Sequence, residues 1–489
     1  MSARAATIWT FIVTSVAVFM VSLDNLVVTT ALPVVKADLG ASLQGLEWTV
    51  NAYTLTFAVL LLTGAALGDR FGRKRMFLTG LAIFTLGSAA AALAPSIGWL
   101  IAARALQGVG GAVVTPLTLT ILSGAVSPAR RGLALGIWGG VSGLAVALGP
   151  VVGGAVVEGL SWQWIFWINV PFGIVLLPIA WRRLTESKGP NRSLDLPGLG
   201  LASVGLLGIV WGLIRGNEHG WTSLGVAGPI AIGIVLLAAF VLWERRTAEP
   251  MVPLRFFRSR AFSAANVTSL LMSFGMFGAI FLLAQFFQIV QGYSPLEAGA
   301  RTLPWTAMPI LVAPIAGILS DRIGARPLLV AGMALMAIGL AWIAVVTTPT
   351  VAYGALVPAF VLAGVGMSLY FAPVANLVLS TVRRKEEGKA SGVNNTVREV
   401  GGVFGVAVLA SVFSAVGSYA SPQSFVDGMI PAIWVGAVAV AIAGFAAVAI
   451  PPRQDVVPDS VSLLERGDGR DAAAGDVAGA LACEPDAAV

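Results

Sequence analysis

Charge is what this chain has least of. Only 11% of its 489 residues are Asp, Glu, Lys or Arg, against about a quarter in a soluble globular domain. Water is therefore a poor solvent for it, and a bilayer is the expected one. Cysteine is down to one residue, Cys483, which excludes an internal disulfide and a Cys-rich metal site. Histidine is down to His219 alone. A phosphate-cradling loop is missing too: Gly388-Lys389 runs into Ala390 without the upstream glycine spacing. "GVGGAV" (Gly108 to Val113) follows no strand and fails as a dinucleotide fingerprint. No nucleotide, cofactor or metal is expected. The net charge of +6 is not a nucleic-acid footprint by default, because its placement decides its meaning.

What the chain has instead is a series of long apolar runs, each about the 20 residues that cross a hydrocarbon core. Fourteen helices are expected, over 8–32, 46–68, 77–95, 98–122, 132–157, 163–181, 197–214, 224–243, 262–290, 299–320, 327–347, 351–381, 395–417 and 428–450. The first is too long for a signal-peptide core and is interrupted by Asp24, so it is read as a retained span. Basic residues test the count. With the N-terminus in the cytoplasm, the odd connections hold only Lys36, Arg215 and Arg301. Arg104 and Arg398 fall within spans, and the other 25 of the 30 basic residues lie on the cytoplasmic side. The alternation predicts an even count with both termini inside. From Pro451 the chain turns polar, with eight acids and three basic residues, and reads as a disordered tail.

The sequence repeats itself. "GAALGDRFGRKR" (Gly64 to Arg75) returns in weaker form as "AGILSDRIGARP" (Ala316 to Pro327). Asp69 aligns with Asp321, Arg70 with Arg322, Gly72 with Gly324 and Lys74 with Arg326. One copy follows span 2 and the other follows span 10. Setting spans 7 and 8 aside leaves two sets of six with the copies in matching places. Parallel six-helix repeats about a membrane-normal axis are a transporter architecture. The expected organisation is a bundle over 1–185, a two-helix insert with its linkers over 186–255, a second bundle over 256–450 and the tail over 451–489. Charges that do no more than set topology are the plainer reading of the hinge, but an aligned Asp-Arg-x-Gly is not needed for that.

"GDRFGRKR", with Leu67 two residues before its Asp, resembles the loop motif of the major facilitator superfamily. The resemblance implies a cytoplasmic latch in which Asp69 faces the entry to span 13, around Ser391 to Asn395, while Arg70 and Arg73 hold the loop at the leaflet. Asp321, Arg322 and Gly324 would do the same in the second half. "LIAARALQGVGGA" (Leu100 to Ala112) resembles the family's fourth-helix motif, centred on Arg104. "GLALGIWGGVSGLAVALGPVVGG" (Gly132 to Gly154) resembles its antiporter motif. Gly136, Gly149, Pro150, Gly153 and Gly154 are in step there, but Ala145 stands where the pattern has Gly. "LDNLVVTTALP" (Leu23 to Pro33) and "WQWIFWINVPFG" (Trp162 to Gly173) are similar to the fourteen-helix drug:proton antiporter branch. The resemblance covers residues 8–450 and implies the all-α major facilitator fold, two six-helix bundles plus a central extra pair.

Ionisable groups within spans are costly and usually face a cavity or a partner. Asp24 lies ~12 Å and Arg104 ~9 Å below the outer ends of their spans at 1.5 Å per residue, so the two could meet. A cation favours a carboxylate's charged form and burial opposes it. A carrier could exploit that balance if it changes with the side that is open, and a static structural pair is the plainer alternative. Arg398 and Glu399 are read as entering span 13 from the cytoplasm, for inner-gate packing near Asp69, a second proton site or interfacial anchoring. Adjacent helical residues point ~100° apart, so these two need not pair. Asn25, Gln107, Gln285, Gln288 and Asn376 are candidate cavity-lining residues, or interhelical hydrogen-bonding groups.

"GVSG" (Gly140 to Gly143) has the form of an intramembrane serine protease motif. Ser142 would need a base, and His219 falls in an expected external connection, so no enzyme is expected. The sequence therefore predicts a proton-coupled secondary exporter of hydrophobic or amphipathic small molecules, such as drugs or antibiotics, in a bacterial inner membrane. Its expected partners are the solute, protons and the lipid bilayer. The same fold serves lipid and metabolite exporters and importers, and a non-transporting receptor or scaffold is the alternative of another class.

Overall fold

Apolar composition, short polar connections and hinge glycines give a chain made almost wholly of helices. The computed structural model describes residues 3–126, 128–188, 194–383 and 386–452. Within these it describes all side chains but those of 3, 4, 128–137, 139, 142, 143, 146, 147 and 321. The tail from 453, Gly136 and the Asp321 side chain therefore lie outside the described residues.

Fourteen spans follow one another: α1 Ala3–Leu39, α2 Leu43–Phe71, α3 Arg73–Ala92, α4 Ile97–Ala125, α5 Pro128–Gly159, α6 Trp164–Arg183, α7 Leu196–His219 and α8 Leu224–Arg246. The second series is α9 Arg260–Val290, α10 Pro295–Ile323, α11 Ala325–Val346, α12 Tyr353–Ser380, α13 Glu387–Val416 and α14 Pro422–Val448. Thirteen are long and apolar enough to cross a membrane among the described residues, and α5 joins them by its 32-residue length. The protein is a multi-pass membrane protein.

The helices pack as a repeated pattern. In the first series α1 packs on α5, α2 and α3 on α4, and α3 on α6. In the second, α9 packs on α13, α10 and α11 on α12, and α11 on α14. The two series meet along α2–α13 and α5–α10, again a matched pair. The extra helices α7 and α8 pack on each other, and α7 lies against both α2 and α13. Leu206, Val210 and Ile214 of α7 close an apolar cluster there with Leu55, Val59, Val403 and Ala407.

The expected hinges are tight turns. Gly72 has φ 112° and Gly324 φ 84°, both in the region that disfavours side chains. Each separates two helices by a single residue, α2 from α3 and α10 from α11.

Three helices are interrupted. α6 breaks at Ile168. α9 ends in a π turn, Phe286–Val290. α10 is three pieces, Pro295–Arg301, Leu303–Thr306 and Met308–Ile323. Pro304 and Pro309 each begin a new piece, where a missing N–H costs least.

Span limits differ from expectation where polar residues continue a helix. α13 begins at Glu387, eight residues before the expected 395, because Gly388, Lys389 and Ser391 are wound into its first turns. α1 continues to Leu39 and takes in Lys36.

Candidate functional site

The end of the bundle that carries residue 3, the even connections and residue 450 is called here the terminal end, and the opposite one the far end. Between them, inside the first bundle, lies a buried polar network. Asp24 of α1 and Arg104 of α4 are each 1% exposed. They form the expected ion pair, with Arg104 Nη1 donating to Asp24 Oδ2. Arg104 Nη1 also donates to Gln107 Oε1 at 2.9 Å, and its Nε donates to the Thr49 carbonyl at 3.3 Å. Asp24 Oδ1 accepts from Gln107 Nε2 at 3.2 Å and from Asn169 Nδ2 at 2.9 Å. Gln107 Nε2 also donates to Ser88 Oγ at 2.6 Å. The Tyr53 ring faces the guanidinium at 4.2 Å, a cation–π contact.

Five helices, α1, α2, α3, α4 and α6, thus contribute to one network around Asp24. The break at Ile168 sets Asn169 at the head of the second piece of α6. No buried side-chain nitrogen or oxygen of Asp24, Arg104, Gln107, Asn169 or Ser88 lacks a hydrogen bond, which is what makes a charge tolerable in such surroundings. Gln107, expected as a cavity wall or an interhelical hydrogen-bonding group, is the latter here and is fully buried. Asn169 and Ser88 went unnoticed in the sequence, because an uncharged polar residue among apolar ones carries no periodic signal.

A second charged pair lies in the other bundle. The earlier start of α13 moves Arg398 eleven residues into that helix, ~16 Å deep at 1.5 Å per residue. Arg398 and Glu399 are therefore mid-helix residues, not residues of its entry. They do pair, with Arg398 Nη2 donating to Glu399 Oε1 at 2.8 Å. Adjacent positions can do this because the Arg side chain is long enough to fold back. Arg398 also lies 5.9 Å from the Phe371 ring of α12. Glu399 is 3% exposed, yet its Oε2 has no hydrogen-bond partner.

At the hinge, Asp69 pairs with Arg73 one turn on, at 2.9 Å. The bonds described for Asp69 do not reach α13, and near the start of α13 it is Gly392 that lies close against Leu62 of α2. A carboxylate does cap a helix at this hinge, but it is Glu186, beyond α6. It accepts from the backbone N–H groups of Lys74 and Arg75 at 3.0 and 3.2 Å, at the start of α3 where the helix dipole favours an anion. Arg70 lies 5.2 Å from the Phe71 ring. Arg322 is exposed at the second hinge.

The far ends of the two bundles are clasped. Gln288 Nε2 of α9 donates to the Thr30 carbonyl of α1 at 2.8 Å. Lys36 lies 3.0 Å from the ring centre of Tyr419, in the α13–α14 connection. Burial pushes the Tyr419 hydroxyl above its usual range, and the nearby Glu47 charge adds to this. Tyr419 also donates to Gln285 Oε1. Glu158, exposed near the end of α5, accepts the Leu296 N–H at 3.1 Å. The antiporter motif supplies close packing here. Gly149 and Gly153 let α5 lie on α1, while a Cβ on Gly154 would collide with the Pro295 carbonyl of α10. Gly299 of α10 returns the contact against the Pro150 carbonyl. Among the described residues α4 and α12 share no extensive packing.

Just inside the clasp is a narrow apolar seam, lined by Thr29, Thr30, Pro150, Ala284, Trp305 and Phe360 among others. The Trp305 Nε1 donor is buried without a partner. Of the remaining candidates, Asn25 is half-buried and Asn376 is exposed. Gln285 and Gln288 hold the far-end clasp and do not line an open wall.

A sequence model described as Major Facilitator Superfamily matches residues 14–406. The chain belongs to the major facilitator superfamily. A tetracenomycin C resistance and export protein from Streptomyces glaucescens is 36% identical, over 87% of this chain and 79% of that one. A cephamycin export protein from Amycolatopsis lactamdurans is 40% identical, over 83% and 84%. A multidrug efflux pump from Mycolicibacterium smegmatis is 34% identical, over 88% and 85%. Among solved structures, a bacterial homologue of the lysosomal transporter Spinster, inward-facing and unoccupied, superposes with a TM-score of 0.65 at 16% identity, covering 91% of this chain and 97% of that one. The major facilitator fold is therefore that of a membrane transporter, not an enzyme.

Proposed function

We propose that this chain is a proton-driven exporter of hydrophobic or amphipathic small molecules, drugs or antibiotics among them. It would sit in a bacterial inner membrane with both termini cytoplasmic. Residues 1–185 and 256–450 act as the two rocking bundles, 186–255 as the inserted pair with its linkers, and 451–489 as a cytoplasmic tail. The far end is then the external face, and we read a clasped far end without extensive α4–α12 packing as a carrier open to the cytoplasm. The charged hinges at Asp69, Arg70 and Arg73 and at Asp321 and Arg322 line that open side.

The observation that carries the reading is the fully buried Asp24–Arg104 pair. A carboxylate within a span costs about 2.5–3.5 kcal/mol on insertion scales, a cost that a role in energy coupling explains. A proton can replace Arg104 at Asp24 Oδ2 only if the guanidinium turns toward its other acceptors, Gln107 and the Thr49 carbonyl. Such a turn shifts α4 against α1 and α2, so proton binding and helix packing change together. The solute would enter between the bundles and reach the apolar seam. There the indole N–H of Trp305 offers the one unpartnered buried donor among the seam residues.

Inverted membrane vesicles test this. A fluorescent drug such as ethidium should accumulate when a proton gradient is imposed, and a protonophore should abolish the uptake. Asp24→Asn should remove the gradient-driven part at normal expression. Undiminished gradient-driven uptake in that variant would take Asp24 out of the coupling role.

A further inference from the structure

Glu47 is an acid for which neither the buried network nor the hinges have a use. It lies on α2, one turn from the far end, and is 2% exposed. Its Oε2 has no hydrogen-bond partner. Asn51, one turn along and fully buried, has neither amide atom bonded. Residues four apart share a helix face, so α2 turns one unsatisfied polar stripe inward at this level. A native interior leaves few such atoms, and each asks for a reason. Two adjacent residues left incomplete indicate a face whose partners are supplied in another arrangement of the bundles.

The surroundings of Glu47 are charged on several sides. From α7, Glu218 repels it, while bonding to Gln44 of α2 at 2.7 Å and lying 3.8 Å from His219. From the α13–α14 connection, Tyr419 senses the Glu47 charge and bonds to Gln285. From α1, Lys36 lies on the Tyr419 ring. From α4, Arg104 reaches the Thr49 carbonyl, but its charge is taken by Asp24. On α13 the charged pair Arg398–Glu399 is more than three turns from the level of Ser411, where the far part of that helix holds only uncharged polar groups among the described residues. α3 brings no charge to this level. No cation pairs directly with Glu47 among the described residues, while the nearest like charge comes from Glu218.

We infer that Glu47 is a proton-binding group of the far-end clasp, protonated while α2 and Tyr419 are held together and ionised when the clasp opens to water. This rests on the reading of the chain as a proton-driven carrier. Opening hydrates the carboxylate and lets Lys36, released from Tyr419, approach it. Closing excludes water and leaves only the like charge of Glu218. Proton uptake at Glu47 would thus favour closure toward the far side, and proton loss its opening.

The test uses the full chain in lipid nanodiscs, without substrate. Cys483→Ser removes the native thiol, and Ala37→Cys with Ala420→Cys places spin labels on exposed positions flanking the Lys36–Tyr419 contact. Pulsed-EPR distances should shift toward longer values as pH is raised. Glu47→Gln should abolish that shift and hold the short distances at every pH. Glu47→Asp should restore the shift at a displaced midpoint, which covers the case of poor folding in Glu47→Gln. Infrared pH-difference spectra should lose one carboxylic C=O band in Glu47→Gln.

A pH-dependent shift that survives Glu47→Gln overturns the inference, as does its absence from the parent protein. A surviving shift combined with weakened binding of tetraphenylphosphonium would make Glu47 a cation contact, which also overturns it. Loss of gradient-driven ethidium uptake in the parent, with the shift still dependent on Glu47, would instead remove the exporter reading and leave the protonation switch standing.

Discussion

The two bundles hold their buried charges in opposite ways. Asp24 and Arg104 come from different helices, and three further helices bring Thr49, Ser88 and Asn169 to complete them. Arg398 and Glu399 are neighbours on one helix, and Glu399 keeps an oxygen without a partner. The first arrangement is fixed by tertiary packing. The second is satisfied locally and only in part, which leaves it able to take a new partner when the bundles move. A complete network stabilises one state, whereas an incomplete one can discriminate between states.

Breaking the complete network should cost most. Arg104→Ala leaves Asp24 charged and unpaired, and removing one partner of a buried pair costs about 3–5 kcal/mol. Thermal unfolding in detergent should show a large drop in midpoint, and Arg104→Lys should recover only part of it because the forked guanidinium is lost. A drop no larger than that of Glu399→Gln would erase the distinction between the bundles.

Next comes the packing that clasps them. Gly154→Leu places a side chain where the Pro295 backbone lies, an overpacking of about 1–3 kcal/mol. Cysteines across the far end should then cross-link less readily, and ethidium export should fall. Unchanged cross-linking would show that the far-end contact is not required.

Glu399→Gln keeps shape and hydrogen-bonding reach. It should alter stability by less than about 1 kcal/mol, the usual scale of a net hydrogen bond, yet displace the pH profile of export. A profile identical to that of the parent would make the second pair purely structural. The smallest effect is expected for Gln288→Leu, which removes one interhelical bond, to the Thr30 carbonyl, worth about 0.6 kcal/mol in a membrane, and a longer one to the Ala284 carbonyl of its own helix. Its signature should be faster far-end opening in single-molecule traces, with little change in unfolding.

The sequence made legible whatever rests on hydrophobic length, the internal repeat and glycine. All fourteen spans were readable, as were the two hinges with their positive-φ glycines and the meeting of Asp24 with Arg104. Three kinds of feature were not. Helix ends were misjudged where polar residues continue the winding, as at Glu387, and this moved Arg398 and Glu399 from a helix entry to mid-helix. Uncharged partners such as Ser88 and Asn169 could not be told from ordinary polar residues until the folded chain joined them. Long-range capping by Glu186 was also hidden, since nothing in its neighbourhood points to a helix start more than a hundred residues earlier. Glu47 was overlooked because an acid near a span end usually meets water, and only tertiary burial separates it from that case.

The inserted pair has a consequence for how greasy cargo could arrive. A two-bundle body has two lateral creases that face the lipid. Here α7 is wedged over the α2–α13 crease with an apolar cluster behind it. The α5–α10 flank carries no such plug among the described residues. For the exporter proposed above, entry from the bilayer would thereby be steered to one side of the molecule, and the surrounding lipid meets a body with a front and a back.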